Sequence, residues 1–240
     1  VAAARIKGEI VSEPNRQFVT AARIKGEAIA SPSREFIAAF SSKAGTDPDT
    51  GARVAGIEAL NAIRKTLNNK LSNVHKEMLN AAIQSLGDSG LTVVLGTPEM
   101  VDRYEQNNYP HTYQAETSSF KGKIDVENNV IYLTNPSAET LTHELLHAAT
   151  ITKMQGFYAD PKSVSVADAK AITRMEGLMN EWLAKSYERE GPVVGAAHRM
   201  AISSIMGHLN AGRKAEGLNE FLAWSLSNQN IINLQKKMQV

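Results

Sequence analysis

Asn129-Val130-Ile131-Tyr132-Leu133-Thr134-Asn135-Pro136-Ser137 leads into Ala138-Glu139-Thr140-Leu141-Thr142-His143-Glu144-Leu145-Leu146-His147, and the architecture turns on this passage. The β-branched and aromatic run Asn129–Thr134 predicts a strand, which Asn135-Pro136 ends. Ser137 is a good N-cap, and Glu139 falls in the first turn, where the positive helix end favours an acid. The helix so opened carries H-E-x-x-H. Positions i and i+4 share a helix face about one turn apart, so His143 and His147 can reach one metal ion. Glu144, next to the first histidine, can address a metal-bound water without being a ligand. Leu141, Leu145 and Ala148 supply a face for packing.

Upstream, Val54, Ile57, Leu60, Ile63 and Leu67 recur three or four apart, and Leu71, Val74, Met78, Ala82 and Leu86 continue the spacing. This predicts helix from about Ala52 until Gly87-Asp88-Ser89-Gly90 stops it. Leu91–Leu95 reads as a strand ended by Gly96 and Pro98. Residues 99–122 show no clear period. Downstream, Ala167–Glu188, Val193–Leu209 and Ala215–Leu226 read as helices. Helices, a few strands, then helices predict an α+β fold, mostly helical with a small sheet, rather than alternating α/β.

A catalytic zinc takes three protein ligands and keeps one position open. With no Cys in the chain, the third ligand must be His, Asp or Glu. Asp160, Glu176, Glu181, His198, His208, Glu216 and Glu220 are the downstream candidates. There is no H-E-x-x-H-x-x-G-x-x-H extension, which argues against the metzincin arrangement. Within Asn219-Glu220-Phe221-Leu222-Ala223-Trp224-Ser225-Leu226-Ser227-Asn228, one acid stands among apolar residues. A buried carboxylate there would be costly alone, and a divalent cation would satisfy it. Glu176 and Glu181 have richer polar company and read as a solvated face.

H-E-L-L-H after the strand N-N-V-I-Y-L, with the later N-E-F-L-A-W-S-L-S-N helix, resembles the zincin metallopeptidases. The likeness is to gluzincin-type domains, including those embedded in large polyvalent proteins of phages and mobile elements, and covers roughly residues 91–228. It implies Zn²⁺ held by His143, His147 and Glu220, with Glu144 as general base, and so a metalloendopeptidase acting on a polypeptide substrate. His208, Tyr158 and Arg213 are candidates for stabilising an oxyanion. The strand Asn129–Thr134 is expected to pair an extended peptide by backbone hydrogen bonds.

Composition limits the other classes. Lys+Arg 26 against Asp+Glu 25 leaves +1 over 240 residues, so no net field favours nucleic acid or a membrane surface. Hydrophobic residues at 42% supply a core, and no apolar stretch nears the roughly 20 residues of a spanning helix, so a soluble chain is expected. Residue 1 is Val, without a signal sequence, which fits a processed product or a piece of something longer, such as a larger polyprotein or a virion-associated protein. His75 and His111 read as structural or exposed. Met175, Met179, Met200 and Met206 read as core filler, and Trp182 and Trp224 as core anchors.

The first forty residues contain a duplication. Ala3-Ala4-Arg5-Ile6-Lys7-Gly8-Glu9 recurs 18 residues later as Ala21-Ala22-Arg23-Ile24-Lys25-Gly26-Glu27, with Pro14, Arg16 and Phe18 matched by Pro32, Arg34 and Phe36. Two units are too few for a solenoid. Residues 1–50 are therefore expected to form an arm outside the core or draped over it, and residues 51–240 the folded domain. A second reading follows from the duplication: a non-catalytic structural or cargo protein that keeps the fold and binds a protein partner through the repeat.

Overall fold

The computed structural model describes residues 34–68, 73–87, 89–113, 121–188 and 195–238. In the α+β arrangement among these residues, α1 (Arg34–Ser41) precedes β1 (Gly45–Thr46), β2 (Arg53–Ala55), α2 (Ile57–Leu67) and α3 (Asn73–Leu86). Next come β3 (Thr92–Leu95), α4 (Pro98–Asn108), β4 (Gly122–Asp125) and β5 (Val130–Leu133). Helices α5 (Ala138–Ala159), α6 (Val166–Glu188), α7 (Ala196–Asn210), α8 (Lys214–Ser227) and α9 (Gln229–Met238) complete the chain, with a 3-10 turn at Pro161–Ser163.

The sheet has the order β1-β2-β3-β5-β4. Strands β3 and β5 run parallel, with Val93 opposite Ile131 and Leu95 opposite Leu133; the other neighbours are antiparallel. Both faces of the central pair are covered. Val93, Leu95, Ile131 and Leu133 pack with Leu60, Ile63, Leu141 and Leu145, while Val94, Val130 and Tyr132 pack with Ala52, Val101 and Tyr104. Burial on both sides explains why these strands are continuous apolar runs in the sequence rather than alternating ones.

Helix α5 joins this layer to a second, helical core. Its first half packs on the sheet through Leu141 and Leu145. Its second half contributes Ile151 and Met154 to a cluster with Met179, Trp182, Ile205, Leu218 and Phe221. Helix α8 lies along α5 and also packs on α7. Ser137 caps α5 as the sequence predicts: its Oγ accepts from Thr140 N at 3.0 Å.

Several expectations change. Val54 belongs to a strand, and the long upstream helix is two helices, α2 and α3. Residues 99–122 contain most of helix α4, which opens at Thr97 and Pro98 and buries Val101 and Tyr104. Strand β5 is central, with β3 and β4 bonded to its two edges, so it cannot pair a further peptide; the edge position belongs to β4. Residues 34–50, placed with the arm by sequence, include Phe36 and Phe40, both fully buried in the sheet-side core. Strand β1 joins the sheet there as well. Both copies of the Ala-Ala-Arg-Ile-Lys-Gly-Glu unit lie outside the described residues.

Candidate metal centre

On α5, His143 and His147 point their Nε2 atoms toward each other at 3.0 Å. Their rings meet edge to face, with centroids 4.7 Å apart. Glu220, arriving on α8, places Oε1 at 3.7 Å from His147 Nε2 and Oε2 at 3.9 Å from His143 Nε2. Among the described residues these three side chains form the metal-competent group of His, Asp, Glu and Cys, with one candidate atom from each within 4.8 Å of the others. The intervening helices α6 and α7 fold back so that α8 runs beside α5 past the motif, which is how a carboxylate so distant in sequence reaches it.

The donor set suits a divalent ion. Two imidazole nitrogens and a carboxylate oxygen converge on one point, and tetrahedral arms of about 2.0–2.1 Å would separate the ligand atoms by about 3.3 Å. The two imidazole nitrogens, 3.0 Å apart, are close to that spacing, and the carboxylate oxygens, at 3.7 and 3.9 Å, lie about half an ångström beyond it. The outer nitrogens of both rings are engaged as ligating histidines require. His143 Nδ1 lies 3.2 Å from Ser227 Oγ, and His147 Nδ1 bonds Asn219 Oδ1. Trp224 stands edge-on to His143, 5.1 Å between centroids.

Burial sets the local electrostatics. The His143 imidazolium is disfavoured by desolvation and then by its neighbour His147, which brings its pKa down to about 3. The ring is thus neutral and able to act as a ligand at ordinary pH. Glu144 is only 6% exposed. Desolvation, reinforced by the Glu220 carboxylate, pushes its pKa up to about 8. A cation held at the triad would act in the opposite direction on this acid.

A cleft of about 500 Å³ opens over the centre. Edge strand β4 forms one wall through Gly122, Lys123 and Ile124, and α7 contributes Met200, Ser204 and His208. Gly122 marks a close approach between β4 and α5. A Cβ there would meet Thr140 Cγ2 at 2.7 Å and the Glu144 Cγ and Oε1 at 2.9 Å.

The remaining candidates are placed elsewhere. Asp160 caps the 3-10 turn, accepting from Lys162 N at 3.0 Å. Glu181 pairs with Lys185 at 2.6 Å. His198 is buried against Ser186 Oγ at 2.9 Å. Glu216 and His208 line the cleft without joining the triad. Tyr158 packs in the helical core, and its phenol is pushed up to about 12 by burial and by Glu176 nearby. Met200, expected in the core, is 60% exposed on the cleft rim. Trp224, expected as a core anchor, packs partly buried against the helical core and also lines the cleft beside His143. Asn219 and Ser227 escape a search for zinc ligands because neither belongs to the His, Cys, Asp and Glu donors that such sites draw on. Their signal is positional: both fall on the same helix as Glu220.

No protein-family description matches the chain, and no solved structure matches it. A curated protein does: the virion DNA-directed RNA polymerase of Enterobacteria phage N4 is 33% identical over 200 residues, 78% of this chain. The chain spans about 6% of that relative's length. This finding corrects the expected metalloendopeptidase. The relative is named for RNA polymerisation rather than proteolysis, and no zincin family matches. What the resemblance to zincins leaves standing is the His143/His147/Glu220 cluster and a likeness to a phage virion protein.

Proposed function

We propose that this chain is a non-catalytic, metal-holding segment of a large phage virion protein, with one Zn²⁺ bound by His143, His147 and Glu220. The observation that carries the reading is the convergence of three donors from α5 and α8 on one point. Likeness to a virion protein over most of the chain supports the setting. Zinc is favoured over magnesium or calcium because two of the three donors are imidazoles, whereas the hard cations take oxygen ligands. Bound there, zinc would supply a fixed positive charge joining α5, which spans both cores, to α8.

This chain's own residues do the rest. Ser227 and Asn219 engage the outer nitrogens, while Trp224 shields the His143 ring. Glu144 stands beside the centre as a neighbouring acid. The duplicated Ala3–Glu9 and Ala21–Glu27 unit is the partner-binding element in this proposal: tandem copies of a short Arg/Ile motif suit attachment rather than turnover.

Two measurements on the full chain test the proposal together. Elemental analysis is expected to find zinc, and incubation with an unfolded protein such as casein is expected to give no cleavage. Cleavage that disappears in Glu144→Gln would overturn the non-catalytic reading. Absence of bound zinc would overturn the metal reading.

A further inference from the structure

The hydrogen bonds behind His147 form a chain whose direction is fixed at its far end. Thr150 Oγ1 lies 2.7 Å from the Leu146 carbonyl oxygen, which can only accept, so the threonine hydroxyl proton is committed there. The Asn219 amide nitrogen lies 2.7 Å from the same Thr150 Oγ1 and must donate to it. That settles the amide orientation: Asn219 Oδ1 faces His147 Nδ1. A carbonyl oxygen accepts only, so Nδ1 carries the proton and the Nε2 lone pair faces the centre. Asn219 is 3% exposed, so water does not compete for this arrangement.

His143 is held differently. Its Nδ1 meets a serine hydroxyl, which can either accept or donate. Because His147 Nε2 is an acceptor, the 3.0 Å contact between the two rings requires His143 Nε2 to donate when no cation is present. His143 Nδ1 is then the acceptor, and Ser227 donates. A cation at the triad needs the other tautomer, with Nδ1–H donating to Ser227.

Resting on the zinc reading above, we propose that Asn219 is the positioning residue that presets His147 as a metal ligand through the Leu146–Thr150–Asn219 chain. His143 is the ring that changes tautomer when the metal enters, and Ser227 permits the change. Helix α8 thereby supplies the third ligand and, one residue earlier, the group that orients the second.

The test uses the full chain and zinc itself. Ring ¹⁵N shifts of the metal-free protein, recorded at a pH where both rings are neutral, are expected to show His147 as the Nδ1–H form and His143 as the Nε2–H form. Zinc is expected to convert His143 to the Nδ1–H form and leave His147 unchanged. Asn219→Leu is expected to give a tautomer mixture at His147 and to weaken zinc binding about 10–100-fold. Asn219→Asp keeps an acceptor for Nδ1–H, with the Thr150 hydroxyl turning from the Leu146 carbonyl to donate to the new carboxylate, and is expected to restore affinity to within about threefold, a rescue that a merely structural role would not produce. An Nε2–H form of His147 in the unaltered chain, or undiminished affinity in a folded Asn219→Leu, would overturn the proposal. If the unaltered chain shows the expected metal-free tautomers but takes up no zinc, the zinc reading fails, and the metal-positioning role falls with it. Tautomers that differ from those expected in a chain that does bind zinc would count against the hydrogen-bond chain alone.

Discussion

His143 Nε2 and His147 Nε2 stand 3.0 Å apart on one face of α5, with the Glu220 carboxylate of α8 within 4 Å of both. A zinc ion joining them would link two helices that are distant in sequence, and it would bind only the folded state. Chelation is therefore expected to lower the melting temperature. With zinc at about a hundredfold excess over its dissociation constant the stabilisation is about 2.7 kcal/mol, or about 5–10 °C for a chain of this size. Differential scanning with and without chelator measures it. Glu220→Gln should lose most of the difference.

The close approach at Gly122 gives a prediction independent of metal. In Gly122→Ala the new methyl would fall 2.7 Å from Thr140 Cγ2 and 2.9 Å from Glu144. Strand β4 or the first turns of α5 must shift, at a cost of about 1–3 kcal/mol. Urea unfolding of the chelated protein would show it as a lower midpoint with an unchanged slope.

Phe36 tests where the folded body begins. Its side chain is fully buried with Phe40 against the sheet-side core. Phe36→Ala is expected to cost about 3–5 kcal/mol, read by the same unfolding curve. A residue in a loosely draped arm would cost almost nothing.

Short-range pattern in the sequence carries the H-E-x-x-H helix, its Ser137 cap and strands β3 and β5, and the cost of burying a carboxylate points to Glu220 as an inward acid. Helix α4 is hidden from pattern because only Val101 and Tyr104, with Glu105, form its buried side; the Thr97-Pro98-Glu99 start is its one sequence mark. Helix α9 has a comparable mark in Asn228, whose Oδ1 accepts from Asn230 N and Ile231 N at 3.1 Å. Strand pairing is non-local, so nothing in Gly122–Asp125 announces an edge strand, and nothing in Asn129–Thr134 announces a central one. Arg34–Ser41 resembles part of the repeat because Arg34 and Phe36 match Arg16 and Phe18, and a match between two segments carries no information about burial. Asn219 lies in plain view beside Glu220, but its role depends on Thr150, contributed by a different helix.

His198 contributes a pH dependence of its own, away from the metal centre. Burial, followed by the neighbouring Arg199 charge, holds its pKa below the ordinary histidine value of 6.5. The unfolded chain therefore binds the proton more readily than the fold does. The stability from the neutral ring is fully present above about pH 6.5 and is lost as pH falls below it toward the depressed native value. His198→Phe removes this titration, so its melting temperature should fall less than that of the unaltered chain between pH 7 and pH 5. Equal falls would contradict the assignment.

Zinc stoichiometry tests the proposed centre most directly. The full chain, refolded with zinc and freed of excess by gel filtration, is expected to hold one zinc per molecule. The His143→Ala/His147→Ala variant, still folded by circular dichroism, should retain less than about a tenth of that, since removing two of three ligands leaves no site that holds zinc tightly. Zinc absent from the unaltered chain, or equal in both proteins, would contradict a metal centre at His143, His147 and Glu220.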